Sequence, residues 1–171
     1  MQLISLFAPL LLALLQFLPG PTVSTPRYQI EDKLAPYVGT WVGHTPASEF
    51  KLVLGERKNF HIANSTPVDI IIGRHSYVTK DGPVNESLSL PADKFVLSCL
   101  VDDDNPGGLF GSFEDRVNRK PVSIRLSFTN PAKTQLSWVI VREREAWSFD
   151  PAKPVLPGVS VPSSLVLTKV K

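Results

Sequence analysis

Between Val122 and Phe128 the chain reads Val-Ser-Ile-Arg-Leu-Ser-Phe, with apolar and polar residues in strict alternation. Successive side chains of an extended strand point to opposite faces, so a period of two predicts a strand buried on one face and wet on the other. Ile124 falls on the buried face and Arg125 on the exposed one. The next run, Gln135 to Arg142, sets Leu136, Trp138 and Ile140 on one face, and the Asn130-Pro131-Ala132-Lys133 stretch between the two runs is turn chemistry. Together they predict an antiparallel hairpin.

The same reading predicts strands at Gly39–His44, Phe50–Leu54, Val68–Thr79, Ser87–Leu90, Lys94–Val101, Leu109–Phe113 and Leu165–Val170, about nine in all. Turn residues separate them at Gly55–Asn59, Lys80–Pro83, Pro91–Asp93 and Asp102–Gly108. No stretch sustains a helical period, and one helical turn is expected at Ile30–Leu34, ahead of Pro36. The expected fold is all-β: a single antiparallel meander that must close or stack to hide its edges, hence a closed or nearly closed barrel. Asp150 to Ser163 contains Pro151, Pro154, Pro157 and Pro162, so it is expected to cross in extended, non-sheet form and return the last strand beside the first.

Residues 1–24 carry no charge and are almost wholly apolar from Leu3 to Leu18, which is short of the roughly 20 residues of a membrane span and fits a signal peptide. Cleavage after Ser24 is expected, leaving residues 25–171 as one barrel domain of a secreted protein without a stable membrane span. The single cysteine, Cys99, lies in the apolar run Phe95–Val101 and reads as a small buried hydrophobe, so packing and sheet hydrogen bonds must hold the fold. The net charge of +2 comes from interspersed signs, as in Arg142-Glu143-Arg144-Glu145, and no basic run is available to follow a nucleic-acid backbone. The sequons Asn64-Ser65-Thr66 and Asn85-Glu86-Ser87 make Asn64 and Asn85 the expected glycosylation sites in a eukaryotic host.

Enzyme chemistry finds little support. His44, His61 and His75 stand 17 and 14 residues apart, none in a metal-ligand spacing, and there is no Gly-x-Ser-x-Gly elbow. Asp102-Asp103-Asp104-Asn105 crowds carboxylates as a calcium loop does, but Phe113 stands where an EF-hand needs its bidentate Glu. A solvated acidic turn is the plainer reading; a weak calcium site completed by Glu114-Asp115 is the alternative. No catalytic residue, metal or cofactor is expected.

A helical turn followed by Gly39-Thr40-Trp41 on the first strand of an antiparallel barrel resembles the calycin pattern of lipocalins, fatty-acid-binding proteins and avidins. In that pattern the Trp plugs the closed end. The segments Leu34–Trp41, Phe50–Leu54 and Asp69–Tyr77 are also similar to a family of small exported proteins of unknown function, known chiefly from bacteria. Position 75 is more often aromatic there, where this chain has His75. The resemblance implies a fold and no reaction. Trp41, Trp138 and Trp147 fit either core packing or the wall of a cavity. Arg74 fits an anchor for an acidic group, a stacking partner for Trp41, or a solvent-facing position. The expected function is binding of a small apolar or amphipathic ligand in the barrel by Trp41, Arg74, Tyr77 and Trp138. The alternative is a non-enzymatic extracellular interaction module with a filled core.

Overall fold

The computed structural model describes residues 33–62, 66–91, 93–143, 152 and 154–171. The expected leader, Asn64 and Trp147 lie outside the described residues.

Among the described residues, a 3-10 turn at Ala35–Tyr37 precedes nine strands: β1 (Gly39–Thr45), β2 (Ser48–Phe60), β3 (Val68–Thr79), β4 (Gly82–Glu86), β5 (Leu97–Val101), β6 (Gly108–Asp115), β7 (Lys120–Phe128), β8 (Gln135–Glu143) and β9 (Ser164–Lys169). Eight of them close an antiparallel barrel in the order β1-β2-β3-β5-β6-β7-β8-β9, and β9 returns to β1. β4 is an additional strand. It pairs with Ser76–Thr79 of β3, while β5 pairs with Ile71–Gly73 of the same strand. The closing seam is short: Trp41 faces Lys169, Val42 faces Thr168, and the Val170 N–H donates to the Thr40 carbonyl at 2.8 Å. No helix among the described residues is long and apolar enough to cross a membrane.

Alternation decides which residues fill the barrel. Phe50 and Leu52 from β2, Phe113 from β6, Ile124 and Leu126 from β7 and Trp138 from β8 are all fully buried on its inner face, whereas Arg125 points outward, as its pleat position requires. Cys99 is buried among them, and burial pushes its thiol pKa up. β5 and β6 pack so closely that a Cβ at Gly111 would collide with the Ser98 carbonyl and sit 2.7 Å from Cys99 Sγ. Only glycine lets the wall approach that far.

Three strand boundaries differ from expectation. Gly55–Asn59 is not a turn: Gly55, Glu56 and Arg57 continue the ladder opposite Ile72, Ile71 and Ile70, and the irregularity is confined to a register shift between Arg57 and Phe60 with Asn59 at φ 55°. Propensity for a turn yields there to pairing with a long apolar partner strand. The strand expected at Ser87–Leu90 lies earlier, at Gly82–Glu86, because Lys80-Asp81 already form a two-residue hairpin turn, and Ser87–Leu90 is itself a turn closed by the Leu90 N–H on the Ser87 carbonyl. β5 begins at Leu97 rather than Lys94. A 3-10 turn stands at Ala35–Tyr37, with Pro36 in its first positions, where the fixed φ and missing N–H suit a helix start; residues 30–32 of the expected turn lie outside the described residues.

Candidate functional site

The two ends of the barrel are closed by different chemistry. At the end where β1 begins, Leu34 and Tyr37 of the 3-10 turn fold inward over Trp41, and all three are buried. Trp41 Nε1 donates to the Tyr37 carbonyl at 2.7 Å, the Tyr37 hydroxyl donates to the Gly107 carbonyl at 2.5 Å, and Phe128 stacks 4.3 Å from the Tyr37 ring. Lys169 Nζ lies 5.1 Å from the Trp41 ring and donates to the Pro36 carbonyl, tying the last strand to the plug. Burial, with Cys99 a smaller contributor, raises the Tyr37 pKa to about 12.

At the other end the Pro-rich crossing passes over the barrel as a strap. Its anchor is Asp115, whose buried carboxylate accepts five hydrogen bonds, from Asn85 Nδ2, Ser160 N, Ser160 Oγ, Val117 N and Asn118 N, at 2.5 to 3.2 Å. Asn118 Nδ2 reaches the Pro157 and Gly158 carbonyls, and Trp138 Nε1 donates to the Pro162 carbonyl at 2.8 Å. Below the strap sits His75, fully buried, with Phe113 4.8 Å and Phe50 6.0 Å away. Ser87 Oγ accepts from the His75 backbone N–H and lies 2.9 Å from Nδ1. Ser87 Oγ also lies 3.3 Å from the His75 carbonyl, so the direction of its bond with Nδ1 follows the ring tautomer; His75 Nε2, like Asn85 Oδ1, closes no hydrogen bond among the described residues. Burial lowers the His75 pKa to about 4 against the pull of Asn85, Asp115 and Glu86; Arg116 lowers it further. Ser87 and His75 have the pairing of a nucleophile and its base, yet both are fully buried with no exposed face for a substrate.

Of the expected ligand residues, Tyr77 and Trp138 meet on Phe50, and Trp41 and Arg74 lie elsewhere. Trp41 belongs to the plug. Trp138 packs in the middle of the lumen, 5.1 Å from Phe50 and 5.3 Å from Phe113, with Tyr77 edge-on to Phe50 at 6.1 Å. These rings and His75 pack against one another inside the barrel. Arg74 lies on the outer wall, where Nη1 donates to the Leu90 carbonyl at 2.9 Å and to the Leu88 carbonyl at 3.4 Å, so it secures the turn after β4. Asn85, an expected glycan acceptor, is buried, and its Nδ2 donates to Asp115 and Ser160. In the acidic turn, Asp102 accepts Arg125 Nε at 2.8 Å through Oδ2 and the Asp104 N–H through Oδ1. Among the described residues, no three His, Cys, Asp or Glu side chains gather as a metal site requires.

The outer wall holds what sequence reading missed. Leu100 and Phe110 stand opposite one another on β5 and β6 and point outward, exposed at 37% and 38%. Alternation predicts polar residues at those positions, so the apolar ones were the available signal. Ile62 and Val139 extend the apolar band to either side, and Arg125, paired with Asp102 and 5.9 Å from the Phe110 ring, is set into it. Compared with models of protein families, with curated proteins and with solved structures, the chain matches none.

Proposed function

We propose that this protein is an exported, non-enzymatic interaction module that engages a protein partner through the outer wall of its barrel. The observation that carries this reading is the division of apolar surface. The lumen is occupied by Trp138, Phe50, Phe113 and His75, while Ile62, Leu100, Phe110 and Val139 are left on the outside. Contiguous exposed apolar residues on a soluble domain mark an interaction surface. The sealed Ser87–His75 pair supports a role without catalysis, and the leader-like first 24 residues support export.

The test is co-purification from the protein's own source, beside a Leu100→Ser/Phe110→Ser variant that melts at the parent temperature. A partner protein recovered with the parent and lost with the variant is the expected result. Native mass spectrometry showing a small molecule bound to both forms, with no protein partner, would overturn the reading in favour of a ligand inside the barrel.

A further inference from the structure

The apolar band borders a continuous trough. One cavity of about 390 Å³ is lined by Phe95, Glu114, Arg119, Lys120 and Pro121, and a second of about 320 Å³ by Phe60, Ile62, Ile70, Leu100 and Phe110. Both include Ser98 and Ser112, which face each other in the β5–β6 register, so the two cavities share a floor. The trough follows β6 from Glu114 to Phe110, a distance of about 13 Å at roughly 3.3 Å per residue, which accommodates four or five residues of extended chain.

Three features narrow the occupant. First, the trough is open to solvent along its length, which suits a segment that buries one side, whereas small-molecule pockets enclose most of their ligand. Second, the Ser98 and Ser112 hydroxyls make no hydrogen bond among the described residues. An acyl chain laid over them would leave two polar groups dry at a cost, whereas a peptide backbone offers carbonyl and N–H partners. Third, the charge is uneven. Arg57 lies 5.3 Å from the Phe60 ring and 5.9 Å from the Phe95 ring, and neither Arg57 nor Arg119 is in an ion pair among the described residues. Lys120 is neutralised by Glu143 at 2.6 Å, so Arg119 lines the trough as a cation outside any ion pair, with Arg57 on the rings of Phe60 and Phe95 beside it and Glu114 the one carboxylate of the lining.

Building on the interaction reading above, we propose that the trough binds an extended segment of the partner protein. Apolar side chains of that segment seat among Ile62, Ile70, Leu100 and Phe110, its backbone crosses Ser98 and Ser112, and an Asp, Glu or terminal carboxylate meets Arg119.

The probe is a display library of random linear twelve-residue peptides panned against the folded protein. Enriched peptides should carry an acidic residue four or five positions from an aliphatic or aromatic cluster. Their binding should fall at least tenfold in Arg119→Glu and in Leu100→Asp, two surface substitutions that should leave the melting temperature unchanged. Panning the Arg119→Glu variant should enrich Lys or Arg at the same offset. If Leu100→Asp melts early, Phe110→Ser serves in its place. Binders indifferent to both substitutions would overturn the trough and leave the interaction reading standing. No enrichment, or enrichment of basic peptides against the parent, would overturn the proposed occupant, while the co-purification experiment judges the wider reading separately. Displacement of enriched peptides by dodecanoate, with dodecanoate binding lost in Leu100→Asp, would assign the trough to an acyl chain instead.

Discussion

The Trp41 plug and the Asp115 strap close opposite ends of one barrel, one mainly by burying rings and the other by hydrogen bonds around a carboxylate. The apolar centre of the plug is local. Leu34, Tyr37 and Trp41 lie within eight residues of one another, and its stability comes mainly from removing aromatic surface from water, which depends little on proton activity. The strap brings together Asn85, Asp115, Asn118 and Ser160 from distant parts of the chain around one buried carboxylate. A buried polar network stabilises only when it is complete, because each member left without a partner costs more than its bond contributed. The plug should therefore degrade gradually and the strap abruptly.

The largest expected effect is at the strap. Asp115→Ala removes the acceptor of five hydrogen bonds and should destabilise by about 3–5 kcal/mol, with early proteolysis near the Pro-rich crossing. Chemical denaturation and limited proteolysis check it. Unchanged cleavage there would mean that the prolines hold the crossing without Asp115. Next, Trp41→Ala should cost about 3–5 kcal/mol, toward the lower end because the plug can partly collapse, and the loss should be nearly the same at pH 5 and pH 8. A strongly pH-dependent loss would break the contrast between the ends.

Acid should act at the strap end. His75 has a folded pKa of about 4 against the ordinary 6.5, so between those values the unfolded chain takes up a proton that the folded chain refuses. This contribution leaves stability intact above pH 6.5, lowers it as pH falls through that window, and removes about 3 kcal/mol at most below pH 4. Melting temperatures from pH 7.5 to 4 should show the decline, and His75→Phe should flatten it. An equally steep decline in that variant would place the titration elsewhere. The smallest effect belongs to neither closure: Arg74→Ala should cost about 1 kcal/mol, with faster amide exchange confined to Ser87–Leu90. Exchange spreading into the lumen strands would make Arg74 part of the barrel's support.

Most of the wall was legible in the chain because period-two alternation is a local signal: Val122–Phe128 forms β7 with Ile124 inward, and the proline-rich stretch delivers Leu165 to Lys169 to the seam. Trp41 as the plug is what the calycin resemblance implied, and alternation supplied only which face it lies on. Gly55–Asn59 misled because turn composition there is overruled by pairing with Ile70–Ile72, a partner more than ten residues away. The strap cluster left no local trace. In the sequence Asn85 stands in a sequon and Glu114-Asp115 follows an acidic turn, and only the register sets Asn85 beside Asp115 and Ser160. The trough needs the same information, since only the Ser98–Ser112 pairing shows that two half-grooves join.

The seam between β1 and β9 also sets a kinetic condition. Barrel closure joins Trp41 and Val42 to Lys169 and Thr168, partners more than 120 residues apart, so the last strand contact cannot form until every intervening strand has been synthesised. Chains dominated by such distant pairings fold in milliseconds to seconds rather than microseconds. Until then both seam strands expose unpaired backbone, so a nascent chain can remain open for most of its synthesis.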